Sequence, residues 1–136
     1  MSQHHFDAEI VETIPAVRDP GVLYISFAHR TAVHTCACGC GNKVVTPLNP
    51  SAWSVRMAGS AATLHPSIGN WGFTCRSHYL IQNGQVVWAK DWTSDEVSHG
   101  ANRDQRDRRE YFTSRTLRGR VSKFLRAMRD LIWLRR

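Results

Sequence analysis

Residues 31–48 read TAVHTCACGCGNKVVTPL, and the fold turns on how this stretch is read. TAVHT and KVVTPL are short runs with many β-branched residues, too short for stable helices, and they predict two strands. The segment between them, CACGCG, places cysteines at positions 36, 38 and 40. On a straight strand these side chains would be strung out along the chain. Gly39 and Gly41 let the backbone curl so that they can converge on one point. The expectation is a strand, a tight cysteine-bearing knuckle and a returning strand.

Working outward, the text from Val22 to about Lys90 keeps the same texture. VLYISFA, WSVRM, AATLH, HYLIQ and QVVWA are further β-type runs separated by turn residues. Asn83-Gly84 lies between the last two, and this dipeptide adopts the positive φ angles of a two-residue hairpin turn with little strain. The first twenty residues read as a strand or an irregular arm. From about Ser94 the turn signals almost vanish. Thr93-Ser94-Asp95-Glu96 is a helix start, with a hydroxyl cap followed by acids. Beyond Gly119, Val121, Phe124, Leu125, Met128, Leu131 and Ile132 repeat at helical spacing, with Arg120, Lys123, Arg126 and Arg129 between them. The predicted class is α+β: a small zinc-stabilised antiparallel β-sheet domain over residues 1–93 and a basic helical extension over 94–136. The apolar stripe either packs on the sheet or needs a partner, a second subunit or a membrane surface.

A chain of 136 residues suits one domain with an appendage. It contains no apolar run long enough to span a membrane and no secretory leader pattern, which predicts a cytoplasmic protein with reduced thiols. Crowded cysteines in such a compartment point to metal before disulfides. The net charge of +7 is uneven: residues 1–90 carry 6 Lys/Arg against 4 Asp/Glu, and residues 91–136 carry 12 against 7. Nucleic-acid binding is the weakest reading of that charge, because the β-part offers no stacking-aromatic motif and the cations sit on a helix face. Trp71, Trp88, Trp92 and Trp133 could line a groove, but tryptophans in a chain of this size more often belong to the core.

The fourth cysteine, Cys75, opens CRSHY and stands at C-x-x-H spacing from His78. Zinc takes four tetrahedral ligands from thiolates and imidazoles, commonly two from one knuckle and two from another. Two ligand sets are open. Cys36, Cys38, Cys40 and Cys75 form the first, favoured by the softness of thiolates. The second uses Cys75 and His78 with two of the three knuckle cysteines. Either set is closed by protein ligands, so the metal would hold the fold and chemistry would fall to other residues.

The stretch LHPSIGNWGFTCRSHY crowds Ser67, Asn70, Ser77, His78 and Tyr79 around a ligand cysteine. If His78 is off the metal, it could serve as the general base that makes a serine nucleophilic for acyl transfer. Acidic residues available to orient it are Asp91 or, if the amino-terminal arm folds over, Glu9, Glu12 and Asp19.

The ordered set CACGCG, VVTPL, Trp53, PSIGN, CRSHY and NGQVVW resembles a bacterial domain family formerly of unknown function, over roughly residues 22–90. Its members are small proteins often encoded beside bacterial ubiquitin-like proteins and their activating and conjugating enzymes, in operons linked to antiphage defence. The resemblance implies a peptidase that trims or removes the ubiquitin-like protein, with Ser67, Ser77 and His78 at its site and that protein, its conjugates or the conjugation enzymes as partners. The alternative is a non-catalytic zinc-binding adaptor in the same pathway. The peptidase predicts a free His78 with a serine about 3 Å from its ring. The adaptor predicts His78 on the metal.

Overall fold

The computed structural model describes residues 1–133, with side chains to Leu131. Eight strands form two four-stranded sheets, followed by one helix. The first sheet holds β1 (Asp7–Ile10), β2 (Val22–Ser26), β3 (Thr31–Thr35) and β4 (Lys43–Pro47) in that spatial order. The second holds β5 (Ser54–Ala58), β6 (Ala61–Gly69), β7 (His78–Gln82) and β8 (Gln85–Trp88), also in chain order. All neighbours are antiparallel except β1 and β2, which run parallel and leave one departure from a purely antiparallel design. Each β-type run of the sequence from Val22 to Trp88 supplies a strand, and the amino-terminal arm supplies β1.

One apolar core fills the space between the sheets. Leu23, Ile25, Ala32 and Val44 enter from the first sheet, Ala62, Leu64, Ile68, Tyr79 and Ile81 from the second, and Phe6 from the arm. The arm also stitches the sheets together: Phe6 N–H donates to the Gly84 carbonyl at 2.7 Å and Val86 N–H to the His4 carbonyl at 2.9 Å. The β7–β8 hairpin turns on Asn83 and Gly84, with φ of 47° and 78°, and the register closes on Gln82 opposite Gln85. Across the core, His34 on β3 and the Tyr79 hydroxyl on β7 are joined by a 2.8 Å hydrogen bond.

The helix, α1, runs from Ser94 to Trp133. Thr93 caps it, taking the Glu96 N–H on its hydroxyl at 3.3 Å while its own N–H donates to the Glu96 carboxylate at 2.7 Å. Reciprocal bonds of this kind satisfy donors that every helix start leaves free. α1 packs on no strand. Its first turns touch the loops instead, with Gly100 buried beside Trp92. From Phe112 to Leu131 every residue is exposed, so the apolar stripe does not complete the β-core. Ile132 and Trp133 have side chains outside the described residues.

Candidate active site

Strand parity separates two centres that adjoin in sequence. Tyr79 and Ile81 of β7 face the core, so His78 turns to the opposite face of the sheet, while Ser77 points back inward with Tyr79. On β6, Ala62, Leu64 and Ile68 are buried, and the odd positions face the side that carries His78. The β6–β7 register breaks between Leu64 and Ile68, and Ser67 lies within that irregularity. Bulges of this sort re-aim single side chains. Gly69 stands opposite His78 in the ladder.

The result is a hydrogen-bonded chain. His78 Nδ1 lies 2.6 Å from the Lys90 carbonyl oxygen, and Nε2 lies 2.9 Å from Ser67 Oγ. A carbonyl can only accept, so Nδ1 carries the proton and the Nε2 of the neutral ring accepts the serine hydroxyl. Lys90 comes into position because the chain beyond β8 stays against β7, with Ala89 N–H donating to the His78 carbonyl at 2.9 Å. Among the described residues no carboxylate is hydrogen-bonded to His78; Asp91, Glu9, Glu12 and Asp19 do not supply the third member.

Two indoles enclose the histidine. The Trp71 and Trp92 rings lie 5.0 and 5.2 Å from it, centre to centre, and stack on each other at 5.6 Å. Arg76 clamps them: its guanidinium lies over Trp71, 5.4 Å from the ring centre, and donates to the Trp92 carbonyl at 3.3 Å. A Cβ at Gly69 would run into the Trp71 indole, and one at Gly100 would reach Trp92 at 2.8 Å. Both glycines are therefore required by space. Ser67 and His78 open on a cleft of about 340 Å³ whose far wall is the start of α1, with Arg103, Asp104 and Arg108. Sequence reasoning put the tryptophans in the core before a groove, whereas Trp71 and Trp92 line the cleft, and it gave the helix start no part in the site. Nothing in the sequence signals that the start of α1 walls the cleft onto which Ser67 and His78 open.

The four cysteines form the second centre. Cys36, Cys38, Cys40 and Cys75 bring their sulfurs within 4.8 Å of one another, and His78 is not among them. The knuckle curls at Gly39 and Gly41, with φ of 88° and 80°, and is closed by the Cys36 N–H donating to the Asn42 carbonyl at 2.8 Å. Ser77 belongs here: its hydroxyl lies 3.0 Å from Cys36 Sγ and accepts from Asn70 Nδ2 at 2.9 Å. Burial pushes the Cys38 thiol up to about 12 and the Cys36 thiol upward. At Cys75 burial acts in the same direction, but hydrogen bonds from Ser77, then from Cys38 and Cys36, outweigh it and bring the thiol down to about 7. Four converging sulfurs with N–H and O–H donors around them are a donor set suited to a soft, tetrahedral cation, and these residues could hold a metal ion.

Compared with known proteins, residues 10–89 match the model of the family described as bacterial ubiquitination-like system serine protease (BubE). No curated protein and no solved structure matches.

Proposed function

The chain belongs to the family of bacterial ubiquitination-like system serine proteases, and from that premise we propose that it is a serine-type peptidase that processes or deconjugates a ubiquitin-like protein. The observation that carries this is the 2.9 Å bond between Ser67 Oγ and His78 Nε2, with Nδ1 held by the Lys90 carbonyl. It favours the peptidase over the zinc adaptor, which needs His78 on the metal.

Ser67 attacks the carbonyl carbon at the carboxyl end of the ubiquitin-like protein, and its proton passes to His78 Nε2. The imidazolium then returns that proton to the departing amine or hydroxyl, leaving an acyl-enzyme. Water, deprotonated by the same nitrogen, frees Ser67. The Lys90 carbonyl takes the place usually given to a carboxylate: it fixes the tautomer and the ring orientation. Trp71 and Trp92 limit water around the pair.

We assign zinc to the four thiols, where it would hold the knuckle against the β7 entry and so fix where His78 begins. Ser77 serves that centre and not the acyl transfer. The four free thiols suit the reducing cytoplasm, where we place the reaction, with conjugation enzymes and antiphage defence as its setting. The test is to incubate the protein with a ubiquitin-like protein bearing a carboxyl-terminal extension and follow both fragments by mass spectrometry. Cleavage that survives Ser67→Ala would sink the assignment.

A further inference from the structure

Between Tyr111 and Arg129 α1 carries six cations, Arg115, Arg118, Arg120, Lys123, Arg126 and Arg129, and no Asp or Glu. In the same segment Leu117, Val121, Phe124, Leu125 and Met128, with Leu131 just beyond, are 46 to 64% exposed. At 3.6 residues per turn these six apolar side chains fall within an arc of about 120°. The cations share the remainder with Asp130, and Arg118 and Arg120 border the arc on either side. Charge and apolarity are thus sorted around the helix, although none of the described residues covers it.

We propose that Leu117–Leu131 is a peripheral anchor that lies flat on an anionic lipid bilayer. A helix with Phe and Leu on one face and arginines on the other matches the acyl boundary and the headgroup layer of such a surface. Bordering arginines reach outward from the apolar boundary to phosphates while their stems stay against lipid. The segment, about 22 Å long, is too short to span a bilayer, and no described helix is long and apolar enough to do so.

Two features argue against a second copy of this chain as the occupant. Leu117, Val121, Phe124, Met128 and Leu131 follow the 4-3-4-3 spacing of a coiled-coil seam for only about two heptads, short of the three or four a stable coil needs. The seam is also flanked by Arg118 and Arg120, and residues 117–131 set one acid, Asp130, against five cations, too few to neutralise a dimer. The chain's net charge of +7 adds repulsion. Anionic lipid supplies the missing countercharge along the whole polar face.

The experiment is co-sedimentation of the full chain with vesicles of phosphatidylcholine alone and of phosphatidylcholine mixed with phosphatidylglycerol, at low and high salt. Binding is expected only to the anionic vesicles, weakening with salt. Arg118→Gln, Lys123→Gln and Arg126→Gln should each weaken it, on the order of fivefold per charge. Phe124→Asp and, independently, Met128→Asp should abolish it while the β-domain melts as in the parent. No vesicle binding would overturn the proposal, and so would equal binding to neutral vesicles or binding unchanged in both aspartate variants. Self-association, or capture of an acidic protein, that depends on Phe124 without any vesicle binding would overturn it in favour of a protein partner.

Discussion

Ser77 precedes His78 in the chain yet is turned away from it, while Ser67, on the neighbouring strand, reaches the ring at 2.9 Å. The two hydroxyls therefore separate experimentally. Ser67→Ala should lower cleavage about a thousandfold or more, because the proposed nucleophile is lost. Metal content and melting temperature should stay near the parent's, since Ser67 is half-buried and its hydroxyl bonds the histidine and none of the cysteines. Ser77→Ala should do the reverse. Its hydroxyl bonds Cys36 and Cys75 and accepts from Asn70, so its loss leaves a buried amide donor without that partner and weakens metal retention on the order of tenfold. Competition against a chromophoric chelator reads the second effect, and an unchanged affinity would remove Ser77 from the thiol centre. His78→Ala should keep its metal, in contrast to Cys75→Ser, which should lose metal and fold together.

At the scale of elements, the site depends on a glycine strand position meeting a loop indole. Gly69→Ala would push the Trp71 ring off the sheet, loosening the Trp71–Trp92 stack that closes over His78. A drop in kcat of about tenfold or more is expected, with a red-shifted tryptophan emission maximum as the indoles meet water; an unshifted spectrum would count against the packing role. The strands and hairpin around this site were legible because period-2 runs and Asn-Gly turns are local signals. The helix start was legible for the same reason, through Thr93 and Glu96. The cysteine cluster was legible in composition, and the fold brings its four sulfurs within 4.8 Å of one another. Lys90 was invisible, because any residue offers a carbonyl and only the path after β8 brings this one to His78. The Arg76 clamp and the helix wall, with Arg103, Asp104 and Arg108, were equally hidden, since their contacts depend on how loops and helix cross the outer face of the second sheet. The exposed stripe of α1 shows the limit from the other side: periodicity gives the face and not its occupant.

At the scale of the whole molecule, two sheets of four short strands are held by the arm, the knuckle centre and a buried polar link between the sheets, His34 to Tyr79. Chelation should therefore melt the β-domain and end cleavage together, because metal binding and folding are coupled in so small a core. The polar link adds a dependence on pH. His34 is fully buried, and burial lowers its pKa from 6.5 to about 3, so the folded protein holds it neutral. Below pH 6.5 the unfolded chain binds a proton there that the folded chain refuses. Stability is thus fully present above pH 6.5 and falls towards pH 3, by at most about 1.4 kcal/mol for each pH unit. Acid also competes with a metal ion for the thiols, so the histidine's share must be isolated by comparison. His34→Phe removes the titrating group and leaves the Tyr79 hydroxyl its contact with the Ala37 N–H at 3.4 Å. The variant should lose about 1–3 kcal/mol near neutrality from the broken hydrogen bond, yet its melting temperature should fall less steeply than the parent's from pH 6.5 to 4. Parallel slopes would mean that the acid sensitivity of the fold resides in the thiol centre alone.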